Sequence, residues 1–178
     1  MKTHHLQLHE LHPASGVRDV SVDCGLFPDG RLLLRYRIER ANALILPSGK
    51  GRGRRDNLWK TTCCELFLWH GDGSYREFNF SPSGQWAAYH FDSYRAGQSD
   101  VEPVEWPEID CMAVDDNAFI TVMLAGSELA GAQKIGLSVV LEEEGGHISY
   151  WALAHPEKKP DFHDPACFAL PLGAAIPA

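Results

Sequence analysis

The stretch Arg31-Leu32-Leu33-Leu34-Arg35-Tyr36-Arg37-Ile38 decides the fold class. Leu32, Leu34, Tyr36 and Ile38 alternate with Arg31, Leu33, Arg35 and Arg37. A period of two residues is that of a strand, and it sets one apolar face against one largely cationic face. The same period recurs on either side: Leu6 and Leu8 alternate with His5, Gln7 and His9, and Val20 and Val22 with Asp19, Ser21 and Asp23. Further β-like runs are Ala43 to Leu46, Thr61 to Trp69, Tyr75 to Phe80, Trp86 to Phe91, Ala118 to Leu124, Lys134 to Leu141 and Ile148 to Leu153. Turn clusters separate them, such as Pro28-Asp29-Gly30, Gly71-Asp72-Gly73 and Ser81-Pro82-Ser83-Gly84. The only helical candidate is Ser127 to Ala132, with Ser127 as N-cap. About ten short strands without alternating βαβ units predict an all-β protein, an antiparallel β-sandwich or jelly roll.

The 178 residues correspond to one domain spanning 1–178. Hydrophobic residues make up 44% and charged residues 22%, enough apolar material for a core and too much for a disordered chain. The net charge of -8 argues against nucleic acid or an anionic membrane as the main partner. The uncharged stretches Ala118 to Ser127 and Cys167 to Ala178 are shorter than the ~20 apolar residues of a spanning helix. Residues 1–10 carry no apolar export segment, so a cytoplasmic protein is expected. Five cysteines, with Cys63 and Cys64 adjacent and no C-x-x-C spacing, suit buried thiols better than a disulfide framework or a structural zinc.

Strand parity places Cys63, Glu65, Phe67 and Trp69 on one face and Cys64, Leu66 and Leu68 on the other. A carboxylate between Cys63 and Phe67 is costly to bury unless a cation or hydrogen-bond donors meet it. In the next strand Tyr75, Glu77 and Asn79 oppose Arg76, Phe78 and Phe80, so Asn79 is expected to face Glu65 across neighbouring strands.

These residues carry a resemblance. Trp59, Glu65-Leu66-Phe67-Leu68, the string Glu77 to Tyr89 (Glu-Phe-Asn-Phe-Ser-Pro-Ser-Gly-Gln-Trp-Ala-Ala-Tyr), Gly136 to Leu141 and Tyr150-Trp151-Ala152-Leu153-Ala154-His155-Pro156 follow one another in an order similar to that of a bacterial group of DOMON-like domains related to family 9 carbohydrate-binding modules. The similarity runs from about Asp19 to Leu172. It implies an immunoglobulin-like ligand-binding sandwich that takes a sugar, as the binding modules do, or haem, as DOMON cytochromes do. Sugars present apolar CH faces and ring hydroxyls, which call for aromatic platforms and a few planar polar groups. By position Trp59 and Trp151 resemble the aromatic pair of the family, with Glu65, Arg76 and Asn79 as polar partners and His155 just beyond the Trp151 strand. Trp69, Trp86 and Trp106 are expected in the core or at the rim. Haem is disfavoured: DOMON cytochromes supply a Met with a His or Lys, and Met112 and Met123 lie away from the Trp59 strand, leaving His155 without a partner. The resemblance leaves room for structural calcium, whose ligands do not map onto particular residues.

Two loops and the N-terminus add candidates. Pro47 to Asn57 holds Lys50, Arg52, Arg54 and Arg55; it reads either as a clamp or lid for an anionic ligand or as a solvated hairpin tip. His155 to Pro165 is stiffened by three prolines and brings Asp161, His163 and Asp164 together, either as a pocket wall or cation site or as a rigid connection packing Phe162 and Phe168. His4, His5, His9 and His12 read as a solvated strand edge. No G-x-S-x-G, H-E-x-x-H, P-loop or G-x-G-x-x-G appears in a fitting context. The sequence thus favours a non-catalytic binder of a small carbohydrate or related polar metabolite. The alternative is a carbohydrate-active enzyme using Glu65 with His155 or His163, Glu77 being the second acid available for a carboxylate pair.

Overall fold

The computed structural model describes residues 1–49, 51–156 and 158–176. Lys50 of the basic loop and Glu157 of the proline-rich segment lie outside them. Strands follow in the order β1 (Lys2–His5), β2 (Gln7–Leu8), β3 (Asp19–Leu26), β4 (Arg31–Glu39), β5 (Gly53–Arg54), β6 (Cys63–Trp69) and β7 (Tyr75–Phe80). They continue with β8 (Gln85–Phe91), β9 (Ser99–Asp100), β10 (Glu108–Val114), β11 (Asn117–Ala125), β12 (Lys134–Glu143), β13 (His147–Ala152) and β14 (Leu170–Pro171). One sheet has the order β1-β3-β4-β11-β10; the other runs β2-β13-β12-β6-β7-β8-β5, with β14 beside β12 and β9 beside β8. Every pairing is antiparallel except β5 with β8. The architecture is the all-β sandwich that the alternation implies.

The two inner faces make the core. Leu32, Leu34, Tyr36 and Ile38 of β4 and Ile120 and Val122 of β11 meet Cys64, Leu66 and Leu68 of β6 and Leu137, Val139 and Leu141 of β12. Full burial of each such aliphatic side chain contributes roughly 1.5–3 kcal/mol relative to exposure. Tyr36 spans the sheets, its hydroxyl donating to the Glu65 carbonyl at 2.9 Å, so this large side chain is buried without an orphaned donor.

The larger sheet is also covered on its outer face. Cys63, Phe67, Tyr75, Tyr89, Phe91, Val140, Phe162 and Phe168 form a second apolar cluster there. The covering segment approaches closely because β12 carries Gly136 at the crossing: a Cβ there would come within 3.0 Å of the Phe168 ring and 3.1 Å of the Cys167 carbonyl. A sheet buried on both faces explains why β6 and β12 read as nearly continuous apolar runs rather than as clean alternation.

Several local expectations are corrected. Ala43 to Leu46 is not a strand; Leu44 makes a single bridge to Glu143. In place of a helix over Ser127 to Ala132 there is a 3-10 turn at Gly126–Leu129 without a side-chain cap. Glu108–Val114 is a strand at the sheet edge, where solvent on one side leaves little hydrophobic signal. The N-terminal histidines are a solvated edge only in part: His5 is exposed on the edge strand β1, whereas His4 is buried, its Nε2 3.0 Å from the Ala175 carbonyl, and His9 is buried against the His12 and His155 rings. The five cysteines are free thiols.

Candidate functional site

A groove of about 830 Å³ opens on the outer face of the larger sheet. Its floor comes from adjacent strands. Glu65 on β6 stands opposite Asn79 on β7, a pairing that the parity of the two strands allows, and Phe67 stands opposite Glu77. Glu65 and Glu77 are therefore diagonal neighbours on one face, positions about 7–8 Å apart in an antiparallel pair. Tyr89 faces Glu77 from β8, and Val140 and Tyr150 continue the floor through β12 and β13. Trp59, on a 3-10 turn at Leu58–Lys60, forms part of the rim and is 51% exposed.

The remaining wall is supplied by loops. Arg95, at φ 52°, follows β8 and reaches Asp161 at 2.7 Å, while Tyr94 donates to the same carboxylate at 2.5 Å. Burial opposes ionisation of Asp161, but the donors Arg95 and Tyr94 outweigh it and hold its carboxyl below the usual range. The Tyr75 hydroxyl lies 2.8 Å from His163 Nδ1, and His163 Nε2 lies 3.6 Å from Glu77 Oε2. Burial, reinforced by the nearby Arg95 charge, lowers the His163 pKa to about 4, so the ring is neutral at neutral pH. Of its two ring nitrogens Nδ1 thus meets the Tyr75 hydroxyl and Nε2 faces Glu77.

The two floor carboxylates are nearly sealed from bulk solvent, at 3% exposure for Glu65 and 5% for Glu77. Glu65 Oε2 accepts from Ser138 at 3.0 Å and Glu77 Oε1 from the Asn79 amide at 2.7 Å. Burial raises both pKa values, and for Glu65 the neighbouring Glu77 charge adds to it. Glu77 rises to about 7, with the Asn79 hydrogen bond and Arg95 pulling the other way.

Of the six residues singled out in the sequence, Trp59 and Glu65 line the groove. Asn79 is fully buried and acts one step back, holding Glu77. Arg76 points to the opposite side of β7, where it pairs with the buried Glu128 and lies 5.1 Å from the Phe78 ring centroid. Trp151 sits in the inter-sheet core, its indole N–H donating to Ser149 at 3.1 Å, so the expected pairing of Trp59 with Trp151 is not formed. The neighbouring residue, Tyr150, takes the groove-facing position instead, opposite Val140. His155 lies beside the groove, its Nε2 2.8 Å from the Gln7 carbonyl and its ring against His9 and Phe162. Glu77, Tyr89, Tyr150 and Arg95 were not assigned to the site from sequence, although the parity of Glu77 with Asn79 was a usable signal.

Both loops contribute. Arg54 forms ion pairs with Asp56 at 3.0 Å and Asp100 at 2.6 Å and lies over the Tyr89 ring, so this part of the basic loop braces the groove. Lys159 to His163 form the opposite wall, and Phe162 and Phe168 pack into the outer cluster. Among the described residues no group of three or more His, Cys, Asp or Glu is placed to hold a metal ion. Met112 and Met123 belong to β10 and β11 of the other sheet.

No protein-family model and no curated protein sequence matches the chain. Among solved structures, the fold resembles that of a "putative carbohydrate-binding protein" from Bacteroides uniformis ATCC 8492, with a TM-score of 0.66 at 14% identity. The likeness covers 93% of this chain and 83% of that one. At this identity it establishes a shared sandwich fold.

Proposed function

We propose that the groove binds a small carbohydrate or a related polar metabolite without transforming it. The observation that carries this reading is the juxtaposition of Glu65 and Glu77 on a floor flanked by Tyr89, Phe91 and Tyr150, with Trp59 at the rim. Carboxylate oxygens suit vicinal hydroxyls, and ring faces suit the CH faces of a pyranose. The fold shared with the Bacteroides protein supports the same reading. Isothermal titration of the intact chain against neutral and amino monosaccharides tests it: millimolar or tighter binding of a sugar that chromatography recovers unchanged supports it, and the absence of binding across the panel overturns it.

An enzyme on the same scaffold is the second reading, favoured by one observation. Glu77, protonated in part at neutral pH, and Glu65 share one cavity with the neutral His163. His163 rather than His155 would then assist. Appearance of a hydrolysis product, abolished by Glu77→Gln, would replace the binding reading.

A further inference from the structure

The floor of the groove carries two buried acids that no ion pair within the described residues balances. Among the described residues no lysine or arginine forms an ion pair with Glu65 or Glu77; the neutral His163 stands 3.6 Å from Glu77, and Arg95 acts on both acids only from a distance. Arg95, the nearest cation, is committed to Asp161, and Arg54 is shared between Asp56 and Asp100. Lys159 lies on the opposite wall. The lining therefore holds five carboxylates, at Asp56, Glu65, Glu77, Asp100 and Asp161, while its arginine is already paired.

Each floor carboxylate also keeps one oxygen free. Glu65 Oε1 and Glu77 Oε2 accept no hydrogen bond among the described residues, since Ser138 and Asn79 take the other oxygens and His163 stands 3.6 Å away. A buried carboxylate with an open acceptor is costly unless something cationic or donating meets it. Tyr89, Phe91 and Tyr150 add ring faces around the same space, and such faces attract cations; the Arg54 guanidinium already lies 5.4 Å from the Tyr89 centroid.

We infer that the ligand carries a protonated amine that sits between Glu65 Oε1 and Glu77 Oε2, which makes an amino sugar the favoured class. This rests on the carbohydrate reading above and narrows it. An ammonium supplies three donors and a positive charge where a hydroxyl supplies one donor and none. It also resolves the like-charge conflict on the floor by ionising both carboxylates around one cation.

The test uses glucosamine, glucose and N-acetylglucosamine as probes, titrated into the wild-type chain and into Glu77→Gln and Glu65→Gln near neutral pH. Glucosamine is expected to bind about tenfold or more tightly than the other two, the scale of one charge-assisted contact, and to lose that preference in both variants. If glucose or N-acetylglucosamine binds as tightly as glucosamine, the amine inference falls and the carbohydrate reading stands. If none of the three binds at millimolar concentration, the amine inference falls, while the carbohydrate reading is decided by the wider panel. The wild-type comparison decides the matter even if a variant fails to fold.

Discussion

Glu77 shares its two carboxylate oxygens between Asn79, which donates at 2.7 Å, and His163, whose Nε2 stands 3.6 Å away. A single acid thus joins the sheet floor to the loop wall. Ionising it strengthens the Asn79 bond, but burial penalises the charged form more, which is why its pKa rises to about 7. The apo protein accordingly has a groove whose charge changes near neutral pH.

The stability that Glu77 itself contributes should therefore fall as pH rises from about 4.5 through about 7. A carboxyl raised in the folded state binds its proton more tightly there than in the unfolded chain, so the folded form is favoured below the unfolded pKa and loses that advantage through the folded one. For Glu77 alone the effect is on the order of 3 kcal/mol. Because His163 acts oppositely over part of this range, the reading is the difference in urea-unfolding free energy between wild type and Glu77→Gln, which should decline as pH rises; a difference that stays flat or grows with pH would contradict the raised pKa.

His163 acts in the opposite direction on the acid side. Its pKa is lowered to about 4, so the unfolded chain takes up a proton that the folded ring refuses. Stability tied to this residue is present above the ordinary histidine pKa and is lost as pH falls towards about 4. His163→Phe should leave the protein less sensitive to acid over that interval, as read by the midpoint of thermal unfolding at successive pH values.

The two tryptophans first paired by sequence should separate in their effects. Trp151 is 4% exposed in the core, and its replacement by Ala should cost about 3–5 kcal/mol in chemical denaturation. Trp59 is 51% exposed at the rim, so Trp59→Ala should change stability by only about 0.5 kcal/mol. In a titration with a bound sugar, Trp59→Ala should weaken affinity roughly tenfold, the loss of one aromatic anchor.

Glu143 illustrates a buried acid with a structural task. It is fully buried and accepts backbone N–H bonds from Ser15 at 2.7 Å, Gly16 at 2.6 Å and Val17 at 3.1 Å, fixing the loop before β3. Glu143→Leu leaves those donors without their acceptor and should cost about 3 kcal/mol or more, with early amide exchange confined to residues 15–17.

Alternation by itself determined the sandwich, because a period of two at Arg31 to Ile38 and at Asp19 to Asp23 admits no helix. It also determined that Glu77 and Asn79 share a face and that Arg76 lies on the opposite one, since side chains on a strand alternate; the pairing of Glu65 with Asn79 is set by the register of β6 and β7. What alternation leaves open is which face meets the other sheet. On β6 and β12 both faces are apolar, Cys63 and Phe67 against Cys64 and Leu66, and Val140 against Val139, so only packing decides that Trp151 enters the core and Tyr150 the groove. Tertiary structure alone also brings Arg95 to Asp161 across 66 residues of chain and sets His163 over Glu77, because loops carry no periodic signal from which their approach is read.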